Sequence, residues 1–330
     1  MRRQRSNNFF ILICGPTGSG KTDLSYLLAR EFPIEIINCD VGQFYEPLSI
    51  GTAKPPWQDS SVPHHLFDCL AEPRDFTVLE YRKRMQALMD EIWRRGAFPV
   101  VVGGSLFYAK SLFFPPEETA PLGVEESEES PVTNTSTGLS NEQLWQELFA
   151  IDPERAIKID QHDRYRTQRA LDLWRTTGQL PSSRKPKFQP LADFHIFCTV
   201  RDREELYQRI NSRVMLMLQE GWVREADSLP LLWKAFLMRK KILGYPEIIS
   251  CLEDHTVAGC SVNSALIEVL QRKTRNYAKR QMTFWRSFKK NIEEAAGRVV
   301  TSEVNLTLSS VDLYLNHMRD VINNQIEETV

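Results

Sequence analysis

Residues 9–22 read Phe9-Phe-Ile-Leu-Ile-Cys14-Gly15-Pro-Thr-Gly-Ser-Gly-Lys21-Thr22, and this run decides the fold. Phe9 to Cys14 is a short, wholly apolar stretch with the length of a buried strand. A helical pattern follows the loop, from Asp23 to Arg30. Strand, glycine turn and helix start in that order are the context a GxxxxGK[ST] loop requires. Its glycines let backbone N–H groups converge on the oxygens of a phosphate chain. The helix start adds positive potential, Lys21 supplies a point charge, and the Thr22 hydroxyl suits a Mg²⁺ ligand. Gly15, Pro16, Thr17, Gly18, Ser19, Gly20, Lys21 and Thr22 are therefore the expected phosphate-binding residues. An ordinary strand-to-helix turn would need no such run of glycine and serine before Lys-Thr.

Outward from this loop, Ile34 to Asn38 reads as a second buried strand, which completes a βαβ unit over 9–38. Thr77-Val-Leu-Glu80 has capping-box spacing and opens a helix that ends at Gly96. Phe98 to Val102 is the next strand and runs into Gly103-Gly104-Ser105. This alternation predicts an α/β fold with a doubly wound parallel sheet and its chemistry at the strand C-terminal ends. Residues 117–138, with Glu117, Glu118, Glu125, Glu126, Glu128 and Glu129, read as an acidic flexible linker. Helical periodicity without strand signals follows, so 139–189 is expected to be a small helical insertion. The core is then built from 1–116 and 190–330. Phe194 to Val200 returns to strand, and Asp202-Arg-Glu-Glu205 is a second capping-box pattern for a helix stopping at Gly221. Ser264 to Lys290 and Ser310 to about Ile326 read as further helices.

The 330 residues carry 41 Lys+Arg against 43 Asp+Glu, a net charge of −2 that exerts no global pull toward nucleic acid or membrane. Met1-Arg-Arg-Gln-Arg ahead of Phe9 superficially suggests a signal peptide, but the apolar run is too short and enters the phosphate loop. No segment approaches the roughly 18 apolar residues of a membrane span. Cysteines 14, 39, 69, 198, 251 and 260 lack both Cys-x-x-Cys and His-paired zinc spacing, so reduced thiols in the cytoplasm are expected.

Charge is nevertheless segregated. Gln271 to Lys290 holds Arg272, Lys273, Arg275, Lys279, Arg280, Arg286, Lys289 and Lys290 with no acidic residue. Tyr277, Phe284, Trp285 and Phe288 are spaced among them. Such a mixture favours a nucleic-acid backbone over a merely solvated face. Arg164, Arg166, Arg169 and Arg175 form a weaker second patch. Asp40 ends the second strand beside the phosphate loop, where a carboxylate either ligates Mg²⁺ through water, accepts a proton or simply caps a turn. Ser105 can place a hydroxyl nearby. No acid of the kind motor ATPases use ends the Phe98–Val102 strand.

Together these residues resemble the tRNA dimethylallyltransferases, the bacterial-type tRNA isopentenyltransferases of the IPP transferase family. The shared blocks are Gly15 to Thr22, Asp40 with Gln43 and Tyr45, and Ile50-Gly-Thr-Ala-Lys-Pro55. Pro63-His-His-Leu66 with Asp68, Val101-Val-Gly-Gly-Ser105 with Tyr108, and Arg169-Ala-Leu171 continue the series. Thr177-Gly178, Arg213 before Met217-Leu218, Gly244-Tyr245 and Ala278-Lys-Arg-Gln281 complete it. The resemblance implies a P-loop NTPase-like core resembling nucleotide kinases, with an inserted helical domain. It implies transfer of a dimethylallyl group from dimethylallyl diphosphate, with Mg²⁺, to the N6 amine of the adenosine 3′ of the anticodon. The acceptors would be tRNAs reading codons that begin with U, held by their anticodon stem-loop, and a monomer is expected. Asp40 would accept the proton, Ser105 would orient the amine, and Lys21 and Arg213 would stabilise the leaving diphosphate. Residues implied to hold tRNA are Asp40, Val41, Gly42, Gln43, Tyr165, Arg166, Thr167, Gln168, Arg169, Leu243, Gly244, Tyr245, Arg275, Tyr277, Lys279, Arg280 and Gln281. Val41 stands where the family usually has Ser, and Ser105 where it usually has Thr. His64 and His65, without metal spacing, read as structural. The competing readings are an adenylate isopentenyltransferase acting on free nucleotide, a related small-molecule kinase, and a non-catalytic RNA-binding protein.

Overall fold

The computed structural model describes residues 8–116, 138–184, 187–253 and 263–327. Among the described residues six strands form one all-parallel sheet: β1 (Phe9–Cys14), β2 (Ile34–Asn38), β3 (His64–His65), β4 (Phe98–Val102), β5 (Asp193–Val200) and β6 (Thr301–Asn305). Their order is β3-β2-β4-β1-β5-β6, so β1 lies between β4 and β5. Register pairs Leu12 with Val101 on one side and with Ile196 on the other. The chain leaves β1 toward β2 and returns to β4 and β5 on opposite sides of it. That arrangement puts the topological switch, and a crevice, at the C-terminal end of β1.

Alternation along β1 separates two cores. Phe10, Leu12 and Cys14 face one side, and Phe9, Ile11 and Ile13 the other, with every residue of the strand buried. Helices α1 (Lys21–Ala29) and α12 (Val311–Glu327) cover the second face with Leu24, Leu28, Leu315, Met318 and Ile322. The first face is covered by α2 (Val78–Arg94), α3 (Leu106–Ser111), α7 (Arg203–Glu220), α8 (Trp222–Ser228), α9 (Leu231–Lys240), α10 (Tyr245–Glu253) and α11 (Ser264–Ala296). A third apolar cluster is separate: Leu144, Leu148, Ala156, Ile159, Ala170 and Leu171 join α4 (Asn141–Ile151), α5 (Pro153–Ile157) and α6 (Arg164–Thr177). This is the helical unit inserted between β4 and β5.

Several expectations need correction. Thr77 caps α2 as expected, its Oγ1 accepting from Glu80 N at 3.1 Å, but the Glu80 carboxylate turns to Arg74 and Arg84. At α7 no capping box forms. Asp202 accepts from Asn305 at the end of β6, and Glu205 binds Arg201 and, in the turn after β6, Thr307, so both acids are drawn away from the cap. The basic helix α11 runs to Ala296, past Lys290. Strand β6, Thr-Ser-Glu-Val-Asn, escapes a hydrophobicity reading because a sheet edge demands few apolar residues. Cys14, Cys39, Cys69 and Cys198 are free, but Cys251 is disulfide-bonded, against the expectation of reduced thiols. The spacing rules that exclude a zinc site do not exclude a disulfide. Of the acidic linker expected over 117–138, residues 117–137 lie outside the described residues.

Leu12 is fully buried in the central strand. Leu12→Ala is expected to lower stability by about 2–5 kcal/mol, read from the shift in urea unfolding midpoint. A loss under about 1 kcal/mol would contradict its central place.

Candidate active site at the phosphate cradle

The loop between β1 and α1 is built by its packing partners. Gly15 has φ +140°, and a Cβ there would lie 2.3 Å from the Thr199 carbonyl oxygen, so only glycine lets β1 turn beside β5. Ser19 is fully buried, its hydroxyl 2.6 Å from Thr199 Oγ1, which in turn donates to Cys14 O at 3.1 Å. Its side chain therefore braces the loop from behind. Arg209 Nε donates to Gly18 O and Arg201 Nε to Ser19 O, holding the outer wall. The Lys21 ammonium donates to Gly15 O and Pro16 O at 3.1 and 2.9 Å.

Asp40 follows β2 and faces this cradle. Its backbone is fixed by buried Asn38, whose Oδ1 accepts from Asp40 N and whose Nδ2 donates to Asp40 O and Leu66 O. Asp40 Oδ1 caps the short 3₁₀ turn Val41–Phe44 through Gly42 N at 3.3 Å. Capping and site roles therefore coexist: among the described residues this is the carboxylate's one hydrogen bond, and the second oxygen is left for a ligand. Burial pushes the Asp40 carboxyl above the ordinary carboxylate range, while Lys21, the Gly42 N–H and Arg213 pull it back. Lys21 is lowered to about 8 by burial, against the opposing pull of Asp40 and with the added push of Arg213. Burial also lowers Arg213. The three charges form one desolvated group. Ser105 Oγ accepts from Val41 N at 2.9 Å, which leaves its proton free to donate.

Two cavities meet at this group. A small one of ≈ 60 Å³ is lined by Lys21, Thr22, Asp40, Gln43, His64 and Arg213. Thr22 and Asp40 present a hydroxyl and a carboxylate to the same space, an all-oxygen set suited to a hard divalent cation. The larger cavity, ≈ 790 Å³, shares Thr17, Asp40, Thr52 and Arg213 with it and extends past Val41, Gly42 and Ser105. Its outer wall carries Arg166 from α6, Leu243, and Tyr277, Lys279 and Arg280 from α11. One continuous path thus joins the cradle to the cationic helix.

The structure also separates surface from support. Lys279 and Arg280 are exposed and, among the described residues, make no ion pair; Arg280 lies over the Tyr277 ring. Lys273, Lys289 and Lys290, by contrast, pair with Glu247, Glu303 and Glu294, acids that lie away from the 271–290 run. Trp285 and Phe288 are buried in the core, so they cannot stack on a base. Arg275 donates to Asn211 and stacks on Tyr207. Arg166 pairs with Asp163 and Arg169 with Tyr165 OH. Seven expected tRNA-contact residues are internal: Gly42, Tyr165, Thr167, Gln168, Gly244, Tyr245 and Gln281 are all buried. Gly244 packs against Trp222, which a Cβ would strike at 2.1 Å. Gln43 spends its amide on the Thr52 and Ala53 carbonyls. These side chains shape the site from behind, because their polar atoms already serve neighbouring backbone or side chains.

Glu225 was invisible in the sequence. Its carboxylate accepts from Ser49 N, Ile50 N and Gly51 N at 2.9, 2.7 and 3.0 Å, and from Tyr245 OH at 2.6 Å. It clamps the Ile50–Pro55 segment, whose Ala53 carbonyl meets both Gln43 and Arg213. Within the same segment Lys54 is buried against Asp68 and the Tyr45 carbonyl. Only a neighbouring helix that brings a lone acid to three successive amides reveals such a clamp. His64 and His65 form β3, and His65 pairs with buried Glu35, itself held by Arg95.

The profile of the family described as IPP transferase matches residues 43–288. This chain belongs to that family. Over 281 residues it is 36% identical to "tRNA dimethylallyltransferase 2" of Geotalea uraniireducens, covering 83% of this chain and 88% of the relative. The "tRNA dimethylallyltransferase" of Staphylococcus carnosus is 36% identical over 284 residues, covering 84% and 88%. Among solved structures, a eukaryotic dimethylallyltransferase described as acting on tRNA superposes with TM-score 0.75 at 26% identity, covering 96% of this chain and 80% of that one. The tRNA isopentenylpyrophosphate transferase of Bacillus halodurans gives 0.64 at 26% identity, covering 98% of each. The family's fold is the P-loop NTPase-like α/β core seen here.

Glu225→Ala would leave three amides and the Tyr245 hydroxyl without their acceptor, a loss on the order of 1–3 kcal/mol. A lower thermal midpoint together with reduced turnover is the expected result. Unchanged turnover would show that the 49–53 segment is not held by this acid.

Proposed function

We propose that this protein transfers a dimethylallyl group from dimethylallyl diphosphate to the N6 amine of the adenosine 3′ of the anticodon, in tRNAs reading codons that begin with U. Prenyl transfer to tRNA is the activity its relatives are named for. The observation that carries the reading is the cavity that runs from Thr17 of the cradle, past Asp40 and Arg213, to Lys279, Arg280 and Arg166. An enzyme acting on free adenylate, or a small-molecule kinase, would have no use for that cationic outer wall. A purely RNA-binding protein would have no use for the desolvated charge group.

The chemistry follows from the geometry. Backbone N–H groups of the loop and the Lys21 ammonium take the diphosphate, and Arg213 adds charge as the allylic carbon–oxygen bond breaks. Mg²⁺, held through Thr22, would supply further neutralisation of the leaving group. The acceptor adenine leaves its stack to enter the larger cavity, at a cost of a few kcal/mol offset by backbone contacts to Lys279, Arg280 and Arg166. Its exocyclic amine is a weak nucleophile because the lone pair is delocalised into the ring. Nitrogen attacks carbon, the diphosphate departs with the bonding electrons, and the amine proton passes to Asp40. A carboxyl whose affinity for protons is raised by burial suits that step. Ser105, already fixed through Val41 N, is placed to orient the same amine. We further propose that the α4–α6 unit, which brings Arg166 to the same cavity as α11, is the domain that embraces the anticodon stem. Cytoplasmic action as a monomer completes the reading.

Labelled dimethylallyl diphosphate incubated with an anticodon stem-loop, with AMP, or with neither tests it directly. Label is expected on the stem-loop alone; transfer to AMP alone would establish the free-nucleotide enzyme. Asp40→Asn is expected to cut turnover by at least about 100-fold while RNA affinity stays within a few-fold. A fully active variant would remove the proton-acceptor role. Because Lys21 loses its charge above about 8, diphosphate affinity should fall as pH rises from 8 to 9, by about five-fold. Lys21→Arg should bind with no such fall, and a flat wild-type profile would contradict the ammonium's role.

A further inference from the structure

Helix α11 buries a stripe of Leu266, Leu270, Thr274, Ala278, Gln281, Trp285, Phe288 and Ile292. Gln281 is the one residue of that stripe with an amide, and it is 6% exposed. Its two ends are used differently. Oε1 accepts from Thr17 N, inside the phosphate loop, at 2.9 Å. Nε2 donates to Gly104 O, beside Ser105, at 3.0 Å. The fit is close: a Cβ added at Gly104 would stand 2.3 Å from Gln281 Nε2. A single side chain therefore ties the loop after β1 to the loop after β4, and ties both to the helix that carries Lys279 and Arg280 two residues and one residue earlier.

Resting on the proposed function, we infer that Gln281 is a positioning residue through which RNA on α11 sets the shape of the diphosphate cradle. The cradle has a second arrangement available. Lys21 now donates to Gly15 O and Pro16 O, the two residues immediately before Thr17. Turning that ammonium toward a diphosphate frees both carbonyls and shifts the loop on which Gln281 pulls. Phosphates docked on Lys279 and Arg280 hold α11 in place, and the amide transmits that restraint to Thr17 across one side chain. Any such effect is reciprocal, so diphosphate in the cradle must tighten RNA by the same factor. An amide in a stripe that is apolar but for Thr274 is explained by this bridge: an isosteric apolar residue would fill the space but leave Thr17 N and Gly104 O unpaired.

The test measures inorganic pyrophosphate with Mg²⁺, by calorimetry, against the full chain with and without saturating anticodon stem-loop RNA. Pyrophosphate and RNA together undergo no transfer, so binding is read alone. In the wild type, RNA is expected to tighten pyrophosphate by about five-fold or more. In Gln281→Met the protein still binds RNA through Lys279 and Arg280, but the tightening is lost. Full coupling retained in the methionine variant, or no coupling in a wild type that binds both, overturns the inference. A merely structural role would lower the melting temperature and leave the coupling factor unchanged. Should the methionine variant fail to fold, Gln281→Glu keeps an acceptor for Thr17 but sets an oxygen against Gly104 O. Reduced coupling there supports the inference, and full coupling overturns it. A wild type that binds neither RNA nor pyrophosphate would instead fault the proposed function itself.

Discussion

Lys21, Asp40 and Arg213 share one desolvated pocket at the switch point of the sheet, and the rest of the site is arranged around the attraction of the two cations to the one carboxylate. Burial disfavours charge on each of them. Each opposite charge restores part of what burial removes, so the group is stable only as a set. The balance leaves an ammonium that titrates at about 8 and a carboxyl with an enhanced affinity for protons. A dianionic leaving group entering beside them would find positive charge that water does not screen. An amine losing a proton would find an acceptor within the same enclosure.

The fold supplies this enclosure by topology and by a set of buried polar braces. Parallel strands bring the ends of β1, β2 and β4 together, and glycines at 15 and 104 let the connecting loops approach closely. Asn38 holds Asp40, Glu225 holds the 49–51 amides, and Gln281 joins the two loops. None of the three carries out a chemical step in the proposed reaction. Each satisfies buried backbone groups that would otherwise be costly, and each thereby fixes an atom that faces the cavity.

How much of this was legible beforehand depended on range. Local signals gave Phe9–Cys14, Ile34–Asn38 and Phe98–Val102 as strands with their observed bounds, because central strands are written as continuous apolar runs. The cradle loop and Asp40 were readable from position in the βαβ unit. Long-range pairings were not. Glu225 lies 174 or more residues from the amides it accepts, and nothing local distinguishes it from a solvated helix acid. The basic run of α11 was legible as composition, but composition could not tell that Trp285 and Phe288 turn inward while Lys279 and Arg280 turn out. Gln281 was assigned to RNA contact by resemblance, yet the helical period places it on the buried stripe. The failed capping box at Asp202 traces to the polar end of the edge strand β6 and the turn after it, where Asn305 and Thr307 recruit the helix's acids.

The central claim concerns the charge group, and it can be measured without substrate. Carbon-13 NMR of the Asp40 carboxyl, titrated in the wild type and in Lys21→Met, reads it directly. A midpoint above the ordinary carboxylate range, rising further when the ammonium is removed, is the predicted result. A midpoint in the ordinary range, indifferent to Lys21, would mean that the acid is solvated and uncoupled from the cradle, and the account would fail.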